Sequence, residues 1–132
     1  MKKLLGALCL LCLAGQAYAL TLTPTGAEVS VEYTEPDRTA FDDDGLDFPL
    51  DDLAKTVIFY DMGSGPVVAK EVPATSLSGG SNISTTVVVP VVGRRKRDVA
   101  FWVIAVDIAG NESGKSTVET IRIDRLPPAP PR

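Results

Sequence analysis

An all-β domain, folded as an antiparallel sandwich or barrel, is the fold class this sequence predicts, and three observations predict it. Apolar residues nowhere recur at helical spacing. Short segments of alternating apolar and polar residues recur instead, set between turn signals rich in glycine, proline and aspartate. One such segment, Phe101-Trp102-Val103-Ile104-Ala105-Val106-Asp107, passes without a break into Ile108-Ala109-Gly110-Asn111-Glu112-Ser113-Gly114, so an apolar strand ends in a polar, glycine-bounded turn.

The first nineteen residues read as an export signal. Lys2 and Lys3 precede an apolar core from Leu4 to Ala14, and Ala17-Tyr18-Ala19 puts small residues at both cleavage-site positions, so cleavage is expected after Ala19. The apolar core is shorter than the roughly 20 residues that span a bilayer, and no stable membrane anchor is expected. Cys9 follows Leu8 and Cys12 follows Leu11, without the small residue that precedes a lipidated cysteine. Both cysteines leave with the signal, so the mature chain forms no disulfide and is held by packing alone. Of 132 residues, 113 remain, a length that suits one sandwich core. The signal carries two lysines and no acidic residue, so 13 basic residues become 11 against 17 acidic, and the formal net charge moves from −4 to −6. Such a chain is a poor ligand for nucleic acid.

Along the mature chain, Thr21 to Thr23 can form a first edge strand. Ala27-Glu28-Val29-Ser30-Val31-Glu32-Tyr33 alternates cleanly, with Val29, Val31 and Tyr33 toward the core. Pro36 ends that strand, since proline donates nothing to a ladder. Residues 37–52 carry seven aspartates with Gly45 and Pro49 and form a long loop. Lys55 to Asp61 is the third strand, closed by Met62-Gly63-Ser64-Gly65-Pro66 into a hairpin with Val67 to Val72. A glycine- and serine-rich connection leads to the β-branched strand Ile83 to Val89, and Arg94-Arg95-Lys96-Arg97 makes a basic loop after it. Phe101 to Asp107 is the next strand and Ser116 to Ile123 the last, with Val118, Ile121 and Ile123 apolar. Residues 125–132, with four prolines, favour an exposed polyproline II tail. No internal repeat occurs.

Seven strands in about a hundred residues match the spacing of an immunoglobulin-like sandwich, and several anchors resemble the fibronectin type III domain in order. Phe101, Val103, Ala105, Asp107 and the Ala-Gly-Asn-Glu-Ser turn resemble its sixth strand and following loop. Val31 to Pro36 resembles its second strand, with Tyr33 where the family usually has a core tryptophan. Asp43-Asp44-Gly45 through Pro49 to Ala54 resembles the loop into the third strand of many bacterial members, and Lys55 to Asp61 that strand, with Thr56, Ile58 and Tyr60 inward. The resemblance implies a seven-stranded sandwich over residues 20–124 that works by binding. Two departures stand out: Val99 occupies the position of the family's corner tyrosine, and the loop from Gly93 to Asp98 is longer and basic.

Candidate sites are few. Without histidine there is no imidazole base, no Ser-His-Asp triad and no histidine metal ligand, so catalytic, metal and cofactor residues are all expected to be none. Asp42, Asp43, Asp44, Asp47, Asp51 and Asp52 form either a solvated acidic loop or a weak calcium site, without the spacing of an EF-hand. Asn82-Ile83-Ser84 and Asn111-Glu112-Ser113 are glycosylation sequons only in a eukaryotic secretory pathway, whereas the Met-Lys-Lys start has a bacterial or phage style. Arg94, Arg95, Lys96 and Arg97 invite an anionic partner or surface, or are a solvated loop. If Phe101, Val103 and Ala105 face inward, Trp102 and Ile104 face outward beside Val57 and Phe59, and these four are the candidate interface or else a patch partly covered by the tail or loops.

The sequence thus leads to an exported, secreted or periplasmic, non-enzymatic binding module with a protein partner or self-association. A structural subunit of a surface or virion assembly is the alternative. Mass spectrometry of the exported chain should find Leu20 at its N-terminus; a chain still beginning at Met1 would remove the export signal.

Overall fold

A strand buried on one face needs apolar residues at every second position, and this chain supplies them repeatedly. The computed structural model describes residues 10–13 and 16–131. Its strands are β1 (Leu10–Leu13), β2 (Gln16–Thr23), β3 (Gly26–Thr34), β4 (Leu53–Asp61), β5 (Pro66–Pro73), β6 (Asn82–Val89), β7 (Lys96–Asp107) and β8 (Glu119–Asp124). No helix occurs among the described residues. The strands pair antiparallel in two four-stranded sheets, ordered β1-β2-β3-β6 and β5-β4-β7-β8. The all-β, two-sheet architecture expected from the sequence is the one observed.

Strands β2 to β8 match the seven expected strands in order, with four differences at the edges. The first expected strand begins earlier, at Gln16, because Ala17, Tyr18 and Ala19 continue the ladder opposite Glu32, Val31 and Ser30. Strand β1 pairs with it from within the segment read as a signal; Lys2, Lys3 and Cys9 lie outside the described residues. The last strand starts at Glu119 rather than Ser116, which leaves Val118 outside it and 45% exposed. The basic loop is shorter than expected, because Lys96 and Arg97 already pair with Asp124 and Ile123 as the start of β7. The acidic segment 37–52 is also more ordered than a plain loop.

Between the sheets the inward residues interlock. Ala27, Val29, Val31 and Tyr33 of β3 and Ile83, Val87 and Val89 of β6 form one layer. Ile58 and Tyr60 of β4, Val99, Phe101 and Val103 of β7, and Ile121 and Ile123 of β8 form the other. Phe101 is fully buried and so is Val99. Val99, noted in the sequence as a departure from the corner tyrosine of the family it resembles, therefore packs as a plain apolar core residue. With no disulfide in this layer, its area removed from water is the main stabilising term.

One polar tie crosses between the sheets. The hydroxyls of Tyr33 on β3 and Thr56 on β4 are hydrogen-bonded, and both residues are buried. Burial pushes the Tyr33 phenol above its ordinary pKa; the nearby Glu35 charge adds to this and the Thr56 bond opposes it. A buried hydroxyl left without its partner costs about 1–3 kcal/mol, whereas removing both partners together is nearly neutral. Tyr33→Phe and Thr56→Val are each expected to lower unfolding free energy by about 1–2 kcal/mol, and the double variant by less than their sum. Additive losses in urea titrations would show that the two hydroxyls do not depend on each other.

Candidate functional site

Strands β3, β5 and β7 run toward one end of the sandwich, while β4, β6 and β8 run away from it. Loops 35–52, 74–81 and 108–118 therefore gather at that end. What holds the first two together is Glu35, which is only 2% exposed. Its carboxylate accepts the Thr75 amide at 3.1 Å, the Thr75 hydroxyl at 2.8 Å and the Ser81 amide at 3.2 Å. Its own amide donates to the Ser81 carbonyl at 2.9 Å. Gly79, at φ +64, brings the second loop against the first so closely that a Cβ there would lie 2.0 Å from the Pro36 carbonyl oxygen. The third loop joins through the Ile108 amide, which donates to the Asp52 carbonyl at 2.9 Å.

On this base, residues 38–49 fold back as a miniature hairpin. Arg38 bridges to Pro49, the Thr39 amide donates to the Phe48 carbonyl at 2.8 Å, and the Asp42 amide to the Leu46 carbonyl at 2.7 Å. The Asp42 carboxylate closes the tip by accepting the amides of Asp44 and Leu46, each at 2.9 Å. A hairpin that pairs only with itself has no layer in which to bury its apolar side chains. Phe41 is 75% exposed, Leu46 54% and Phe48 53%, and Ile108 from the third loop is 65% exposed. Beside them a cleft of about 280 Å³ is lined by residues including Arg38, Leu50, Val106 and Asn111. The third loop is itself closed: the Asp107 carboxylate accepts the Asn111 side-chain amide at 3.0 Å and its backbone amide at 2.8 Å, which holds the Asp107 carboxyl below its ordinary pKa.

The four candidate interface residues lie together on the outer face of the second sheet, with the parity expected. Val57 stands opposite Ile104 and Phe59 opposite Trp102 across β4 and β7. The Phe59 and Trp102 rings stack with centroids 5.7 Å apart and planes 11° from parallel. Together with Val106 they form a second apolar cluster, separate from the main core. The expectation of an open patch is corrected here, because Val57, Trp102 and Ile104 are buried and only Phe59 is half-buried. Segment 113–116 runs alongside β7, with the amides of Ser113 and Ser116 donating to the carbonyls of Ala105 and Val103. From that segment the Lys115 ammonium reaches 4.2 Å from the Trp102 ring centroid.

At the opposite end, Arg94, Arg95, Lys96 and Arg97 are all exposed. Lys96 stands 4.0 Å from Asp124, and Arg122 pairs with Asp98 at 2.8 Å, which holds the Asp98 carboxyl low. Arg94, Arg95 and Arg97 enter no ion pair among the described residues. The Arg125 guanidinium donates to the Gly26 carbonyl at 3.0 Å, and its amide to the Arg95 carbonyl at 2.7 Å, fixing the start of the tail against this end.

Sequence reasoning missed the loop end because its anchor leaves no signature. Glu35 looks like any polar residue after a strand. Phe41, Leu46 and Phe48 did carry a signal, since a solvated acidic loop has no need of two aromatic rings. Among the described residues no three acidic side chains converge to hold a metal ion. Compared with protein-family models, with curated proteins and with solved structures, the chain matches none.

Burial separates the two apolar sets by consequence. Trp102→Ser removes a buried, stacked ring and is expected to destabilise by about 3 kcal/mol or more. Phe41→Ser at an exposed tip should change stability by less than about 0.5 kcal/mol. Equal melting temperatures for Trp102→Ser and the parent chain would return the outer-face cluster to the open surface expected from the sequence.

Proposed function

We propose that this chain is an exported, non-enzymatic binding module built on one fibronectin type III-like domain, and that it recognises a protein partner through its three-loop end. The observation that carries the proposal is the exposure of Phe41, Leu46 and Phe48 on a loop braced by Glu35, with Ile108 exposed on the loop tied to it through Asp52. Exposed aromatic side chains on a held frame bury large area on binding at little cost in ordering. Loops at one end of a sandwich are suited to this, because the sheets fix their bases while their tips are free of packing duties.

The family reading is supported by a sheet of order β5-β4-β7-β8 facing one in which β2, β3 and β6 are neighbours, and by Tyr33 packing in the core at the position it shares with the family's tryptophan. A binding role, rather than catalysis, is supported by the lack of histidine anywhere and of cysteine beyond residue 12. Export is supported by the Lys2-Lys3 start, the Leu4 to Ala14 apolar core and the Ala17-Tyr18-Ala19 site.

The test is affinity capture with the immobilised chain against Phe41→Ser/Phe48→Ser, using the exported fraction of the source cell. The parent should retain a partner that the double variant loses by tenfold or more, while the two share one melting temperature. Equal capture by both would move recognition away from the loop end.

A further inference from the structure

The two ends of the sandwich are chemically complementary. Loop 35–52 carries Asp37, Asp42, Asp43, Asp44, Asp47, Asp51 and Asp52 against the single cation Arg38, which stands 3.9 Å from Asp47. Asp43, Asp44, Asp51 and Asp52 enter no ion pair among the described residues. The far end carries Arg94, Arg95 and Arg97, also without ion pairs there. Each end adds exposed apolar groups to its charge: Phe41, Leu46 and Phe48 at the acidic end, Val92, Val67 and Leu126 at the basic end. The ends are separated by the length of β7, whose 12 residues span about 40 Å, several times the roughly 8 Å screening length of physiological salt. The two charge sets therefore cannot neutralise each other within one molecule.

We infer that the occupant of the three-loop end is the basic end of a second copy of this chain, so that copies associate head to tail. This rests on the proposal that the loop end is a binding surface, and it names the partner. The contact is heterologous, with different surfaces on the two copies, so repeating it gives an open chain of molecules unless the rotation happens to close a ring. Apolar side chains on both ends supply area removed from water, and the opposed charges orient the encounter and set the polarity. The arginines are well suited to this, since each guanidinium can engage an aspartate carboxylate with two parallel hydrogen bonds. Because the charges are exposed, association should weaken steeply as salt rises.

Sedimentation velocity of the purified exported chain tests the inference. The parent at 20 mM salt should show a weight-average mass that rises with protein concentration and falls back to the monomer at 0.5 M salt. Asp43→Lys/Asp44→Lys and Arg94→Glu/Arg95→Glu avoid the structural Asp42 and Glu35, and each alone should stay monomeric under the same conditions. Mixed in equal amounts they should associate again, because each supplies the charge the other has reversed. A parent chain monomeric to 0.2 mM at 20 mM salt overturns the inference, as does association unchanged in either charge-reversed variant. A monomeric parent that binds anionic phospholipid vesicles through Arg94 and Arg95 also overturns it and gives the basic end to a surface. A monomeric parent whose capture of another protein still depends on Phe41 and Phe48 overturns only the self-docking and leaves the loop end a binding surface.

Discussion

Strand β7 is apolar on both faces, and the second sheet depends on it. Its odd positions Val99, Phe101 and Val103 enter the layer between the sheets, while its even positions Trp102, Ile104 and Val106 gather a second cluster on the outside. It pairs with β4 along one edge and with β8 along the other, so both neighbours take their register from it. A central strand with two buried faces cannot slip by one residue, because a slip would exchange two sets of side chains whose sizes do not match. Without a disulfide to pin the sheets, this double registration fixes the domain.

The fixed middle frees the ends. Glu35 is a charged group held in a nearly closed site, and its carboxylate takes three donors from the second loop, so the first two loops form one unit. Hydrogen bonds to a buried carboxylate are among the stronger ones a small domain makes. They let a self-paired hairpin project aromatic side chains into water without unravelling. At the other end the tail's first residue, Arg125, is tied to Gly26 and to Arg95, which holds the basic loop in place in a similar way. Each end is thus a braced platform, one acidic and one basic. A domain whose charge is sorted this way has a direction, a property that matters only if something reads it.

Much of the fold was legible because period-two alternation is a local property. Val29, Val31 and Tyr33 announce their face by spacing alone, whereas from Lys55 to Asp61 both faces carry apolar residues and spacing does not choose between them. Strand ends were less legible. Lys96 and Arg97 look like loop residues, yet they pair with β8, since a solvent-facing edge position accepts charge as readily as a loop does. The outer-face cluster was legible as a set and not as a surface. Its parity followed from alternation, but its burial depends on segment 113–116 running alongside β7 and on Lys115 lying over Trp102, contacts between residues 8 to 13 apart that spacing does not reveal.

By itself the sequence determined the all-β fold class, the order of seven strands, the core-facing set Val29, Val31 and Tyr33, and the absence of histidine anywhere and of cysteine beyond residue 12. These follow from alternation and composition, which each short segment carries on its own. Only the tertiary structure decided that the acidic segment is a hairpin with exposed Phe41, Leu46 and Phe48, that Glu35 is its brace, and that acidic and basic loops lie at opposite ends. The hairpin closes on itself within residues 38–49, but its bracing and the placing of the two charged ends depend on how two sheets stack and where their loops meet. Contacts of that kind join residues 40 and more apart, as Glu35 to Thr75 and Ser81 are, and no local pattern encodes them.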